Sequence, residues 1–99
     1  MTIEQEMQQA TTIIRLSGRL DTSTAPQLEA KLRDVLKETK ELVLDFETLE
    51  YISSAGLRVL LAAQKQMNAK NGIMKVRNAC ESIMEVFEIT GFTDILSIE

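Results

Sequence analysis

The chain has 99 residues, of which 44% are hydrophobic and 26% charged, as expected for one soluble globular domain over residues 1–99. Eleven basic and fifteen acidic side chains give a net charge of −4, which argues against nucleic acid or an anionic membrane as a partner. There is no histidine and only one cysteine, which excludes histidine catalysis, most zinc sites and an internal disulfide. We therefore expect no metal and no cofactor.

No stretch resembles a signal peptide, a lipid anchor or a membrane span of about 18 consecutive apolar residues, and we expect a cytoplasmic location.

Apolar and polar residues alternate weakly over residues 2–8, which predicts an edge strand. Residues 11–16, TTIIRL, are β-branched and apolar and predict a second strand that ends before Gly18. Apolar residues at helical spacing predict a helix from about 24 to 38, with Pro26 in its first turn and Thr24 and Gln27 forming a capping box.

The second half of the chain alternates strand and helix patterns. Residues 41–46, ELVLDF, predict a short strand that carries Asp45 near its end. A second helix is predicted to end before Asn71 and Gly72, a strand follows at 73–76, and a third helix ends at Gly91 before a last strand at 95–98. The predicted order β-β-α-β-α-β-α-β is that of an α/β domain with a mixed, mostly parallel sheet of about five strands. We expect Leu28, Leu32, Leu60 and Phe87 in its core.

The segment YISSAGL, residues 51–57, leads from a predicted loop into the second helix. A serine here lies at or beside the helix N-cap, where its oxygen accepts a hydrogen bond from a free backbone N–H. Ala55 and Gly56 are small, and we expect them to leave the backbone open to another protein. These local features alone also fit an ordinary cap. A nucleophilic serine is disfavoured, because no histidine or nearby lysine activates it.

Three blocks of sequence, LSGRLD (16–21), LVLDF (42–46) and ISSAGLRVL (52–60), resemble the STAS domain family and, within it, the bacterial anti-sigma factor antagonists. The resemblance covers essentially the whole chain. It implies three to four helices lying mainly on one face of the sheet. It also implies a protein-interaction switch with no enzymatic activity. The unphosphorylated form binds an anti-sigma factor serine kinase and so releases a sigma factor, phosphorylation ends that binding, and a PP2C-type phosphatase is expected.

In that family the phosphorylated serine stands two residues before the glycine, which places it at Ser54. The preceding family position is often aspartate and is Ser53 here, so Ser53 is a second candidate. The family's acidic residues match Asp21 and Asp45, and the sequence leaves open whether these two act in function or only hold loops. The predicted partner-binding surface comprises Asp21, Thr22, Ser23, Ser53, Ser54, Ala55, Gly56 and Arg58.

Two single residues have open roles. Arg58 follows Ser54 by one helical turn and either meets a phosphate or partner carboxylate or is simply solvated. Cys80 is predicted in the first turn of the third helix, where a thiol pKa is lowered, or is an unreactive cysteine. The methionines at 7, 67, 74 and 84 are predicted to fill the core.

Two alternatives compete with this hypothesis. An aspartyl-phosphate receiver domain would place its acceptor at Asp45, but residues 15–20 lack the acidic pair such domains use to hold Mg²⁺, and no lysine follows Arg77. The other alternative keeps the STAS fold as an unphosphorylated scaffold or subunit of a regulatory or lipid-transport assembly.

Overall fold

The order of strands and helices along the chain is the predicted one. The computed structural model describes residues 1–99 and ends in a short 3-10 helix and a two-residue strand. The elements are β1 (Thr2–Gln8), β2 (Thr11–Leu20), α1 (Ala25–Val35), β3 (Glu41–Ile52), α2 (Ser54–Ala69), β4 (Ile73–Arg77), α3 (Glu81–Thr90), a 3-10 helix (Phe92–Asp94) and β5 (Ser97–Ile98).

The five strands lie side by side in chain order, β1-β2-β3-β4-β5. The β1–β2 pair is antiparallel and the other three pairs are parallel. Because right-handed crossovers that all step in one direction place every connecting helix on the same side of the sheet, one face carries the helices and the other carries none. The predicted mixed α/β sheet with helices on one face is confirmed.

The core lies between the covered face of the sheet and the helices. Alternate residues of β2, β3 and β4 point into it, among them Leu16, Phe46 and Val76, all of them fully buried. The four predicted core residues, Leu28, Leu32, Leu60 and Phe87, are at most 2% exposed. Truncation of such a leucine to alanine typically costs about 2–5 kcal/mol.

The central strands are longer than predicted. β2 does not end before Gly18 but continues to Leu20, and β3 does not end at Phe46 but continues to Ile52. Gly18 adopts φ 96°, and the β2–β3 register shifts between Arg15 and Ser17. Such irregularities let two strands stay paired while they bend. Residues 47–51, which follow the predicted strand at 41–46, are therefore strand rather than loop, and Asp45 lies in the interior of β3 instead of near its end.

Several local predictions were wrong. Helix α1 ends at Val35 rather than near 38, and Thr24 makes no side-chain cap to it, so there is no capping box. The last strand covers only Ser97–Ile98. Met7 is 57% exposed rather than part of the core, because it lies on the edge strand.

Candidate functional site

The turn after β2 and the start of α2 lie side by side at the carboxyl ends of the central strands. The Ser53 N–H donates to the Leu20 carbonyl oxygen at 2.9 Å, which extends the β2–β3 pairing to the first residue before α2. The structure therefore brings the two predicted partner-binding segments together, residues 21–23 and residues 53–58.

Ser53 and Ser54 have different environments. Ser53 is the N-cap of α2, in extended conformation, and its Oγ accepts a long hydrogen bond of 3.5 Å from the Gly56 N–H. Ser54 is the first residue of the helix and is exposed. The capping role that the sequence left open between the two serines belongs to Ser53. The hydroxyl of Ser54 is not used as a cap.

Gly56 does not serve the purpose predicted from the sequence. It is buried, and a Cβ at this position would lie 2.7 Å from Leu20 Cγ and 2.9 Å from Ile52 Cγ1. Both distances are well inside van der Waals contact. The missing side chain therefore lets α2 approach the ends of β2 and β3, and Gly56 offers no open backbone to a partner. Ala55 is half-buried.

Asp21 organises the turn between β2 and α1. Its Oδ1 accepts hydrogen bonds from Ser23 Oγ at 2.7 Å, Ser23 N at 3.0 Å and Thr24 N at 3.2 Å. The Ser23 hydroxyl, helped by the two backbone N–H groups, lowers the pKa of the Asp21 carboxyl. Thr24 Oγ1 accepts from the Asp21 N–H and donates to the Arg19 carbonyl, both at 2.8 Å. The turn is thus held by its own side chains, and Thr22 and Ser23 are exposed on it.

Arg19 and Tyr51 form a pair beside this turn that the sequence did not reveal. The two residues are register neighbours in β2 and β3, and the guanidinium carbon of Arg19 lies 4.1 Å from the centre of the Tyr51 ring. Arg19 Nε is also 3.8 Å from Asp21 Oδ2. The pair was missed because residue 51 was predicted to lie in a loop. The only available signal was the position of Tyr51, two residues before Ser53.

Asp45 does not reach the Ser54 segment. It is 4% exposed, and its Oδ2 lies 3.4 Å from Arg77 Nη2 and 3.7 Å from Arg15 Nε. Its Oδ1 accepts from Asn78 Nδ2 at 3.1 Å and from the Glu47 N–H at 3.0 Å. Burial raises the pKa of the Asp45 carboxyl, but the hydrogen bonds from Asn78 and Glu47 and the Arg77 charge outweigh burial and lower it. These contacts give Asp45 a structural role, tying β2, β3 and β4 together.

A furrow between α1 and α2 begins next to Ser54. Its upper part, about 440 Å³, is lined by residues that include Thr22, Pro26, Ala55 and Arg58. Its lower part, about 230 Å³, shares Glu29, Val59 and Ala62 with the upper part and ends at Leu36 and Gln66. Arg58 is exposed and takes part in no ion pair. The furrow therefore joins both predicted partner-binding segments to one helix–helix surface.

Cys80 lies apart from this surface. It is the N-cap of α3 rather than a residue of its first turn, and it is exposed. Its Sγ is 3.3 Å from Ser82 Oγ, and this hydrogen bond, with the Ile83 N–H, lowers the thiol pKa.

No group of three or more acidic or cysteine side chains lies close enough together to bind a metal ion. No helix has the length and apolarity needed to cross a bilayer.

Comparison with known sequences gives one family. The family model described as the STAS domain matches residues 2–99. BtrV of Bordetella bronchiseptica, assigned by its name to the anti-sigma factor antagonists, is 42% identical over 84 residues, covering 84% of this chain and 72% of BtrV. The anti-sigma-B factor antagonist of Bacillus subtilis is 29% identical over 85 residues, covering 86% of this chain and 78% of that protein.

The Bacillus anti-sigma factor antagonist SpoIIAA has the same fold in two solved forms. The unphosphorylated form superposes with a TM-score of 0.79 at 23% identity, covering 99% of this chain and 87% of SpoIIAA. The phosphorylated form gives a TM-score of 0.78 at 24% identity, covering 99% of this chain and 91% of SpoIIAA.

Proposed function

Because the chain belongs to the STAS domain family, we propose that it is an anti-sigma factor antagonist controlled by phosphorylation of Ser54. In its unmodified form it binds an anti-sigma factor that is also a serine kinase, and the sigma factor is released. Phosphorylation of Ser54 by that kinase ends the binding, and a PP2C-type phosphatase restores it. The names of BtrV and the Bacillus subtilis relative support the antagonist role.

The exposed position of Ser54 at the first residue of α2 is the observation that carries this proposal. Its neighbour Ser53 is used as the helix cap, whereas a kinase can reach the Ser54 hydroxyl without breaking a hydrogen bond of the fold. The adjacent turn at residues 21–23 is fixed by Asp21. A partner that docks here therefore meets a preformed surface, which reduces the entropy it loses on binding.

The switch works through charge. A phosphate on Ser54 adds about −1.5 to −2 charges at pH 7 to a chain whose net charge is already −4. If the partner offers no counter-charge of its own to that phosphate, the cost of about 3–5 kcal/mol weakens binding by roughly 10² to 10³·⁵. No refolding is needed for such an effect. The similar TM-scores of the two SpoIIAA forms fit a fold that tolerates both states.

The chain does no chemistry of its own in this scheme. It has no histidine, no lysine beside either serine and no glycine-rich loop of the G-x-x-x-x-G-K type. Its part is to present Ser54 and bind the kinase. The pure protein is therefore expected to show no ATP hydrolysis and no autophosphorylation.

Phosphate mapping tests the proposal. The purified chain is incubated with ATP and the candidate kinase, sought first beside its gene, and the product is digested for mass spectrometry. We expect one phosphate, on Ser54, in the wild type and in the matched control Ser53→Ala, and none in Ser54→Ala. A phosphate on Ser53, or unchanged labelling of Ser54→Ala, contradicts the residue assignment. Absence of labelling with kinases that label other antagonists favours the unphosphorylated scaffold instead.

A further inference from the structure

Arg58 is a free positive charge at the point where the furrow meets the phosphoacceptor segment. It is exposed, lines the upper furrow with Thr22 and Ala55, and forms no ion pair. The other arginine on the furrow wall, Arg33, lies 3.6 Å from Glu29 on the same helix. Arg33 therefore already has a carboxylate beside it, whereas Arg58 has none.

The floor beside Arg58 carries apolar side chains between polar walls that include Thr22 and Glu29, and it suits a short protein segment. Val59 and Ala62 line both parts of the furrow, and Ala62 is exposed while Val59 is not. A guanidinium pairs with carboxylate and phosphate oxygens through its fork of N–H donors, and in an unphosphorylated protein partner that anion is a carboxylate. The surface is therefore complementary to a segment that packs an aliphatic side chain on Ala62 and directs an aspartate or glutamate toward Arg58.

Ser54 and Arg58 are also neighbours on the helix. Residues four apart have Cβ atoms about 5–6 Å apart on the same face, so a phosphate on Ser54 comes within reach of the Arg58 guanidinium. A phosphate offers more charge and more acceptor oxygens than a carboxylate. One guanidinium cannot serve both anions fully, so the two compete for Arg58.

We propose, resting on the function proposed above, that Arg58 couples the phosphorylation of Ser54 to the loss of partner binding. In the unmodified protein Arg58 pairs with a carboxylate of the anti-sigma factor segment lying in the furrow. When Ser54 is phosphorylated, its phosphate forms the ion pair with Arg58, and the partner carboxylate then faces a phosphate rather than a cation. The partner loses an ion pair and gains a repulsion in one step.

The first test uses the isolated protein and needs no kinase. Phosphoserine is incorporated at position 54 during synthesis, and the Arg58 side-chain Nε–H signal is followed by ¹⁵N NMR. We expect this signal to shift and to exchange more slowly with solvent on phosphorylation, while the Arg33 signal stays unchanged. An Arg58 signal that is the same in both forms overturns the proposed capture of Arg58 by the phosphate.

The second test measures the Kd for the anti-sigma factor kinase by calorimetry. Arg58→Ala is compared with Lys65→Ala, which removes an exposed positive charge from the same helix outside the furrow. We expect Arg58→Ala to weaken binding of the unphosphorylated form about tenfold or more, and to reduce the further loss caused by phosphorylation. Lys65→Ala should stay within about twofold of the wild type. Equal Kd values for Arg58→Ala and wild type overturn the proposal.

A third variant tests the furrow itself. Ala62→Glu places a carboxylate on its floor, and Ala30→Glu places one on an exposed part of α1 outside it. We expect only Ala62→Glu to weaken kinase binding by about tenfold or more, with both variants folded by circular dichroism. If Ala62→Glu binds like the wild type, the furrow is not the docking surface. If the wild-type chain does not bind the kinase at all, the proposed function fails as well. Wild-type binding with unaffected Arg58 variants removes only this inference.

Discussion

Replacement of Asp45 by asparagine is expected to destabilise the fold without touching the Ser54 surface. The Asp45 side chain is 5% exposed and lies 3.4 Å from Arg77 and 3.7 Å from Arg15. Hydrogen bonds to charged groups contribute about 1.5–3 kcal/mol each. Asparagine has nearly the same shape and keeps an oxygen for the Glu47 N–H, but it loses the charge that both arginines face. Arg15 retains Glu6 at 2.7 Å, so we expect a net loss of about 2–4 kcal/mol.

Urea unfolding at pH 7 measures this loss, with Asp34→Asn as the matched control. Asp34 is exposed on α1 and forms no ion pair, so its replacement should change the unfolding free energy by less than about 0.5 kcal/mol. A loss below about 1 kcal/mol for Asp45→Asn would show that the Asp45 contacts contribute far less than their geometry indicates.

The pH dependence gives a second check on the same residue. The folded-state pKa of Asp45 is lowered, so its contribution is fully present above the unfolded pKa of about 3.9 and is lost as the pH falls through the folded pKa. The stability difference between wild type and Asp45→Asn should therefore be constant from pH 7 to about 5 and shrink below about 4. Other carboxylates titrate in both proteins and cancel. A difference that does not change with pH contradicts this assignment.

The remaining predictions concern α2 and its packing. Ser53→Ala should lower the unfolding free energy by about 0.5–1 kcal/mol as a lost cap, while Ser54→Ala should change it by less than about 0.5 kcal/mol; the reverse order in urea unfolding would place the cap on Ser54. Gly56→Val should cost about 1–3 kcal/mol because its side chain would overlap Leu20, and a thermal midpoint equal to that of the wild type would contradict this packing. Gln64 is 7% exposed; its Nε2 donates to Asn68 Oδ1 at 2.9 Å, but its Oε1 has no hydrogen-bond partner. Gln64→Leu should therefore keep the unfolding free energy within about 1 kcal/mol of the wild type; a loss of more than about 2 kcal/mol in calorimetry would show that the oxygen has a partner.

The order of elements could be predicted because its signals are local. The alternation of apolar runs with helical spacing, and the left-handed Gly91 that ends α3 with φ 80°, depend on neighbouring residues only. The length of β3 could not be predicted in this way. Its buried residues Phe46, Leu49 and Ile52 are three apart, which is not the spacing of a regular strand. The pairing with β2 continues because β3 carries one extra residue at each of two register shifts.

The candidate site was predicted in part. The resemblance indicated the STAS family, which is confirmed. It also indicated Ser54 as the phosphorylated residue, which stays a prediction supported by the exposed position of Ser54. Contacts between residues far apart in the chain could not be predicted, because local sequence patterns carry no information about them. Gly56 was assigned to partner contact because Leu20, which excludes a side chain there, lies 36 residues earlier in the chain. For the same reason nothing in the sequence indicated that Asp45 would pair with Arg77 rather than line the site.

The ratio of two dissociation constants tests the central claim most directly. The Kd for the anti-sigma factor kinase is measured by calorimetry for the unmodified chain and for the same chain carrying phosphoserine at position 54, in one buffer. Since the phosphate adds about two negative charges at the docking surface, we expect the phosphorylated chain to bind roughly 10² to 10³·⁵ times more weakly. Dissociation constants that agree within about threefold would contradict a phosphorylation switch at Ser54.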